Sequence, residues 1–198
     1  MWWNDVQNIG NTLLGLRSDI APSASVAPTA TIVGEVEIAD GARICHGAYI
    51  LGPVKIGKDT VIGNNSLIRG PAVLGNDCQI GFSSEVKNAI IESDCKIGPQ
   101  CFIADSVVCR GSYLGAMVRT SNHRLDGKRV SVMVGDELVD TGMEKLGAKI
   151  GNHASLGVQV VTLPGREVAP RTILGPRITV QRNLPPGRYQ LTQRIESY

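Results

Sequence analysis

The chain has 198 residues and a mass of 21.1 kDa, with 20 basic against 18 acidic side chains. That is the length of one domain; near-neutrality gives neither a basic footprint for nucleic acid nor an acidic tail, and no run approaches the roughly 18 apolar residues of a membrane span. The start, Met1 to Asp5, lacks the charged and apolar regions of a secretory signal, so a cytoplasmic protein is expected.

Twenty-three glycines, ten prolines and two phenylalanines point to a narrow core filled by aliphatic side chains. At the N-terminus, WWNDVQNIGNTLLGL places Val6, Ile9, Leu13 and Leu14 near one helical face, with Asn4 or Asp5 available as a cap. This predicts a helix over about residues 4–16, in an N-terminal unit of residues 1–19 that caps the open end of a coiled stack beginning at Ile20.

Counting in sixes from Ile20 gives Val26, Ile32, Ile38, Ile44, Ile50, Ile56, Ile62, Ile68, Leu74, Ile80 and Val86, aliphatic at every step. The phase slips by one residue at two places, then runs through Ile91, Ile97, Ile103, Val108 and Leu114. It returns at Ile150, Leu156, Val168, Leu174 and Val180, broken only by Thr162. Small residues follow most of these aliphatics and precede the next, as tight corners require. This is a hexapeptide-repeat solenoid over residues 20–184, in which three strands make a coil of roughly 18 residues and stacked coils create the core. The segment 123–144 abandons the repeat, and RVSVMVGDELVDTG reads as a hairpin around Gly135-Asp136 thrown out from the stack. A polar, proline-containing tail, residues 185–198, closes the C-terminal end.

The five cysteines, Cys45, Cys78, Cys95, Cys101 and Cys109, form no CxxC pair, and buried free thiols are expected. Of the three histidines, His46, His123 and His153, none forms a close HxxxxH pair, so no metal site is expected.

The repeat resembles that of the hexapeptide acyltransferase superfamily, which implies an all-β fold, a left-handed parallel β-helix, with a homotrimer as the expected assembly. The stretches SSEVKNAIIESDCKIGPQCFIADSVV, LGAMVRTSNHRLDGKRV and KLGAKIGNHASLGVQVVTLPG are similar to the C-terminal acetyltransferase domain of bifunctional sugar-1-phosphate nucleotidylyltransferase/glucosamine-1-phosphate acetyltransferases. That resemblance implies acetyl transfer from acetyl-CoA to an amino-sugar phosphate, at sites between subunits. No phosphate loop or βαβ unit fits into the first 19 residues, so the family's nucleotidylyltransferase domain is not expected there, and a separate nucleotidylyltransferase chain enters only with the alternative reading below.

By the same resemblance, Arg69, Lys87 and Lys145 fall where basic residues meet the sugar phosphate. Ala116 and Asn122 fall on the acetyl-CoA side, and Arg194 aligns, across a gap, with a basic residue that meets the CoA phosphates. The family's general base is a histidine twelve residues past the lysine; here that position is Pro99, which has no ionisable group. Two further family positions are Tyr113 and Phe102 here. His123, beside Asn122, is the candidate replacement base, with Asp105 a further carboxylate on that stretch. The expected function is acyl-CoA-dependent transfer to a sugar or amino-sugar phosphate or nucleotide sugar. The alternative is a non-catalytic trimeric scaffold or binding subunit that partners a nucleotidylyltransferase.

Overall fold

The computed structural model describes residues 1–192 and Arg194, and the rest of the predicted tail, 193 and 195–198, lies outside the described residues. Among the described residues, parallel sheets of eight, nine and eight strands form the three faces of a left-handed β-helix, and each strand pairs with the one a full turn away. The first face starts at Asp19–Ile20, the second at Ser25–Val26 and the third at Thr31–Val33. The aliphatic at each sixth position points inward: Ile38, Ile50, Ile56, Ile62, Ile68, Leu74, Val86, Ile91 and Ile103 are all at most 1% exposed. Each such side chain contributes about 1.5–3 kcal/mol by leaving water, so the stack is held by many equal increments. The tail adds Arg188–Tyr189 to the second face beside Ile173–Leu174, and Tyr189 packs on the last coil.

The two phase slips have one location. Ile56 pairs with Leu74, eighteen residues on, whereas Leu74 pairs with Ile91 and Ile91 with Val108, seventeen on in both cases. Both missing residues come from the corner between the third and first faces. Earlier coils turn this corner through Gly52-Pro53 or Gly70-Pro71, while the short ones turn it through Asn88 (φ 45°) and Asp105 (φ 48°). Asn and Asp tolerate this left-handed backbone better than other side-chain-bearing residues. The excursion leaves the same corner on the next coil, after Arg119–Thr120, and the solenoid resumes at Ala148–Ile150. Its hairpin, Ser131–Val134 with Glu137–Asp140, turns at Gly135-Asp136 as the alternation predicts.

The helix departs from expectation. It spans Trp2–Thr12, starts earlier than predicted and has no side-chain cap. It does not cap the first coil, where Ile20 is 43% exposed and Val26 and Ile32 are only partly buried. Instead Trp2, Trp3 and Val6 pack over Val107 and Cys109 on the outer side of the first face, and over Val130, Val132 and Leu146 at the root of the excursion. Trp2 Nε1 donates to Glu167 Oε1 at 2.9 Å, and the two indoles meet edge to face at 6.2 Å. The cause lies in the outward residues of the first face: Glu37 and Lys55 are charged, Val73, Ile90 and Val107 are apolar, and Lys149 and Glu167 are charged again. An eleven-residue helix, about 16 Å long, covers three to four rungs about 4.8 Å apart, which matches that apolar strip.

Candidate functional site

The corner between the third and first faces builds a polar ladder. Lys87 ends the strand Glu85–Lys87, Asp105 follows Phe102–Ala104, and Asn122 lies two residues past Arg119–Thr120, so successive coils stack them. Asp105 is 4% exposed. Its Oδ1 accepts from Asn88 Nδ2 at 2.6 Å; its Oδ2 accepts from Asn122 Nδ2 at 2.5 Å and faces Lys87 Nζ at 3.4 Å. A carboxylate has about four lone-pair sites, so three donors leave it little capacity to take a proton from elsewhere. Asp105 therefore positions Lys87 and Asn122. The backbone continues the arrangement, with Asp105 O accepting from Gly147 N at 2.8 Å and Asn122 O from Leu146 N at 2.9 Å, which pins both ends of the excursion to the ladder. Lys87 keeps two ammonium protons for a ligand, and its side chain is 23% exposed.

His123 and Lys145 face each other across an antiparallel bridge at the root of the excursion, and both are exposed. Arg69 is Lys87's neighbour on the preceding rung, but its guanidinium is held by Glu85 Oε1 at 2.8 and 2.9 Å. It meets the ladder already paired with a carboxylate. Pro99 is exposed at the corner between the second and third faces, away from the ladder.

That second corner carries Ala116. Gly98-Pro99, Gly115-Ala116, Gly157-Val158 and Gly175-Pro176 stack there, and a Cβ on Gly98 would meet Ala116 N at 2.8 Å, so glycine is what lets the coils close. Beside Ala116, a groove of about 640 Å³ runs along Met117, Val158, Gln159, Pro176, Arg177, Gln190 and Leu191. Such a volume suits a drug-sized ligand. Arg194, three residues past Leu191, is exposed. Thus the structure joins Lys87 with Asn122 and His123 with Lys145, and sets Ala116 at the opposite end of the third-face strands. Asn88 and the Val158–Pro176 groove were missed by sequence reasoning. The register slip that created Asn88's corner, and the recurring Gly-X corner pairs, were the available signals.

The sequence profile described as the GMPPB C-terminal domain matches residues 50–184. The uncharacterized acetyltransferase YaiX of Escherichia coli O6:K15:H31 (strain 536 / UPEC) is 58% identical over 114 residues, covering 58% of this chain and 50% of the relative. A bifunctional sugar-1-phosphate nucleotidylyltransferase/acetyltransferase of Sulfurisphaera tokodaii is 36% identical over 107 residues, covering 54% of this chain and 27% of the relative. The aligned part is therefore half or less of these relatives' length. Among solved structures, UDP-N-acetylglucosamine acyltransferase from Campylobacter jejuni superposes with a TM-score of 0.48 at 14% identity, covering 85% of this chain and 69% of that one. Among the described residues, no helix is long and apolar enough to cross a membrane.

Proposed function

The chain belongs to the GMPPB C-terminal domain family, and from that premise we propose that it is an acyltransferase that moves an acetyl group from acetyl-CoA to a sugar or amino-sugar phosphate or nucleotide sugar. The observation that carries this reading is the Asp105 ladder, a buried carboxylate that holds Lys87 and Asn122 in place where the excursion leaves the coil. Lys87 and Lys145 take the acceptor's phosphate, while Asn122, held beside Lys87 by Asp105, meets the acetyl end of the donor. Arg69 supports them weakly because Glu85 already neutralises it. The donor lies in the groove beside Ala116, with Arg194 toward the CoA phosphates.

The acceptor amine attacks the thioester carbonyl, the new C–N bond forms as the C–S bond breaks, and CoA leaves as its thiol. The ammonium proton goes to His123, since Pro99 has none of the required chemistry. Holding amine and thioester together supplies much of the remaining acceleration. Ladder and groove stand at opposite ends of one face, so a complete site takes the ladder of one chain and the groove of its neighbour in a homotrimer.

The test is thiol release from acetyl-CoA against a panel of amino-sugar phosphates. Turnover is expected, falling about 10²-fold or more in His123→Ala. Asp105→Ala is expected to raise KM by loosening Lys87. A folded protein inert toward every acceptor would overturn the reading. Pro99 favours a second one, a non-catalytic trimeric subunit that binds a sugar phosphate or nucleotide sugar and partners a nucleotidylyltransferase. That reading requires ligand binding with no thiol release.

A further inference from the structure

One coil beyond the ladder, the loop that opens the excursion and the next corner of the solenoid enclose a cavity of about 470 Å³. Arg124, its partner Asp126 and His123 line it from the loop, Arg166 from the coil, and Leu125, Leu163 and Pro164 give it apolar walls. None of the residues that hold the ladder together, Lys87, Asn88, Asp105 and Asn122, lines it. Arg166 opens the strand Arg166–Val168, is half-buried, and its Nε is a buried donor with no hydrogen-bond partner. It takes part in none of the ion pairs among the described residues.

Arg124 is fixed differently. Its Nε and one terminal nitrogen donate to the two oxygens of Asp126 at 2.9 and 2.6 Å, a fork that sets the guanidinium plane at the cavity wall. Burial first, and then the facing charge of Arg124, push the Arg166 guanidinium below its usual pKa. Arg124 thus reaches the cavity already paired with Asp126, as Arg69 is with Glu85, so the cation left without a counterion there is Arg166, whose buried N–H has no partner.

We infer that Arg166, with Arg124 and His123 beside it, forms a phosphoanion pocket next to the Lys87 ladder that shares only His123 with the proposed acyl-transfer site, suited to an organic phosphate or diphosphate whose uncharged part rests on Leu125, Leu163 and Pro164. The inference stands whether or not the chain transfers an acyl group.

The test is calorimetric titration of the full chain with uridine diphosphate and, separately, with inorganic pyrophosphate. Uridine diphosphate is expected to bind at one per chain. Arg166→Gln is expected to weaken it on the order of tenfold or more, as loss of a charged donor does. Arg124→Gln, on an exposed loop where it cannot unfold the coil, should weaken it too, and Lys87→Gln should leave it unchanged. Pyrophosphate is expected to bind more weakly, and equal affinity would remove the apolar platform. No binding by the wild type, or a loss seen in Lys87→Gln but not in Arg166→Gln, would overturn the pocket.

Discussion

Thr162 occupies an aliphatic rung, is fully buried, and its hydroxyl has no hydrogen-bond partner, whereas Thr120 on the adjacent rung accepts from Ala104 N at 2.9 Å. An unsatisfied buried hydroxyl costs about 1–3 kcal/mol, so Thr162→Val, nearly the same shape, is expected to stabilise the protein by about 1 kcal/mol in urea unfolding. The buried thiols add a pH dependence. Burial, with Glu92 nearby, pushes Cys109 from its ordinary 9.0 up to about 11. The unfolded thiol ionises from pH 9 and the folded one only near 11, so its contribution is intact below pH 9 and is lost between pH 9 and about 11. At 1.36 kcal/mol per unit the loss is about 2–3 kcal/mol, and Cys109→Ser should flatten that part of the stability curve relative to wild type. The ladder was only half legible residue by residue. Lys87 and Asn122 came from a resemblance and Asp105 was noticed as a carboxylate, but counting in sixes shows that a residue is missing without showing that Asn88 and Asp105 turn the shortened corner.

Between the elements, the rungs were legible because one inward side chain per strand imposes a strict period, and a single polar insertion is conspicuous. The hairpin was legible for a similar reason, alternation on both sides of Gly135-Asp136. The helix was legible as a helix but not in its place, since an amphipathic face is compatible with any apolar strip. The strip was written at the outward positions of the first-face strands, Val73, Ile90 and Val107, each one residue before the inward aliphatic and so passed over by the inward count. Packing of the helix there ties the N-terminus to the root of the excursion and hence to the corner that holds the ladder. Trp3, 4% exposed in that interface, is the residue to test. Trp3→Ala should cost about 3–5 kcal/mol, and hydrogen exchange should rise across Val130, Val132 and Leu146 before it rises in the aliphatic core.

For the whole molecule, a β-helix is uniform along its length, so chemistry concentrates where the repeat is broken. Here three successive coils break it at one corner, through two shortened turns and one excursion, while the second corner stays regular and carries the groove. The proposed function depends on that division of labour between an acceptor ladder and a donor groove that meet in an assembly. Calorimetric titration of the purified protein with acetyl-CoA tests it most directly. Saturable binding at one per chain is expected, lost in Val158→Trp, which fills the groove, and kept in Lys87→Gln. A folded protein that binds no acetyl-CoA, or whose binding depends on Lys87 and not on Val158, would contradict it.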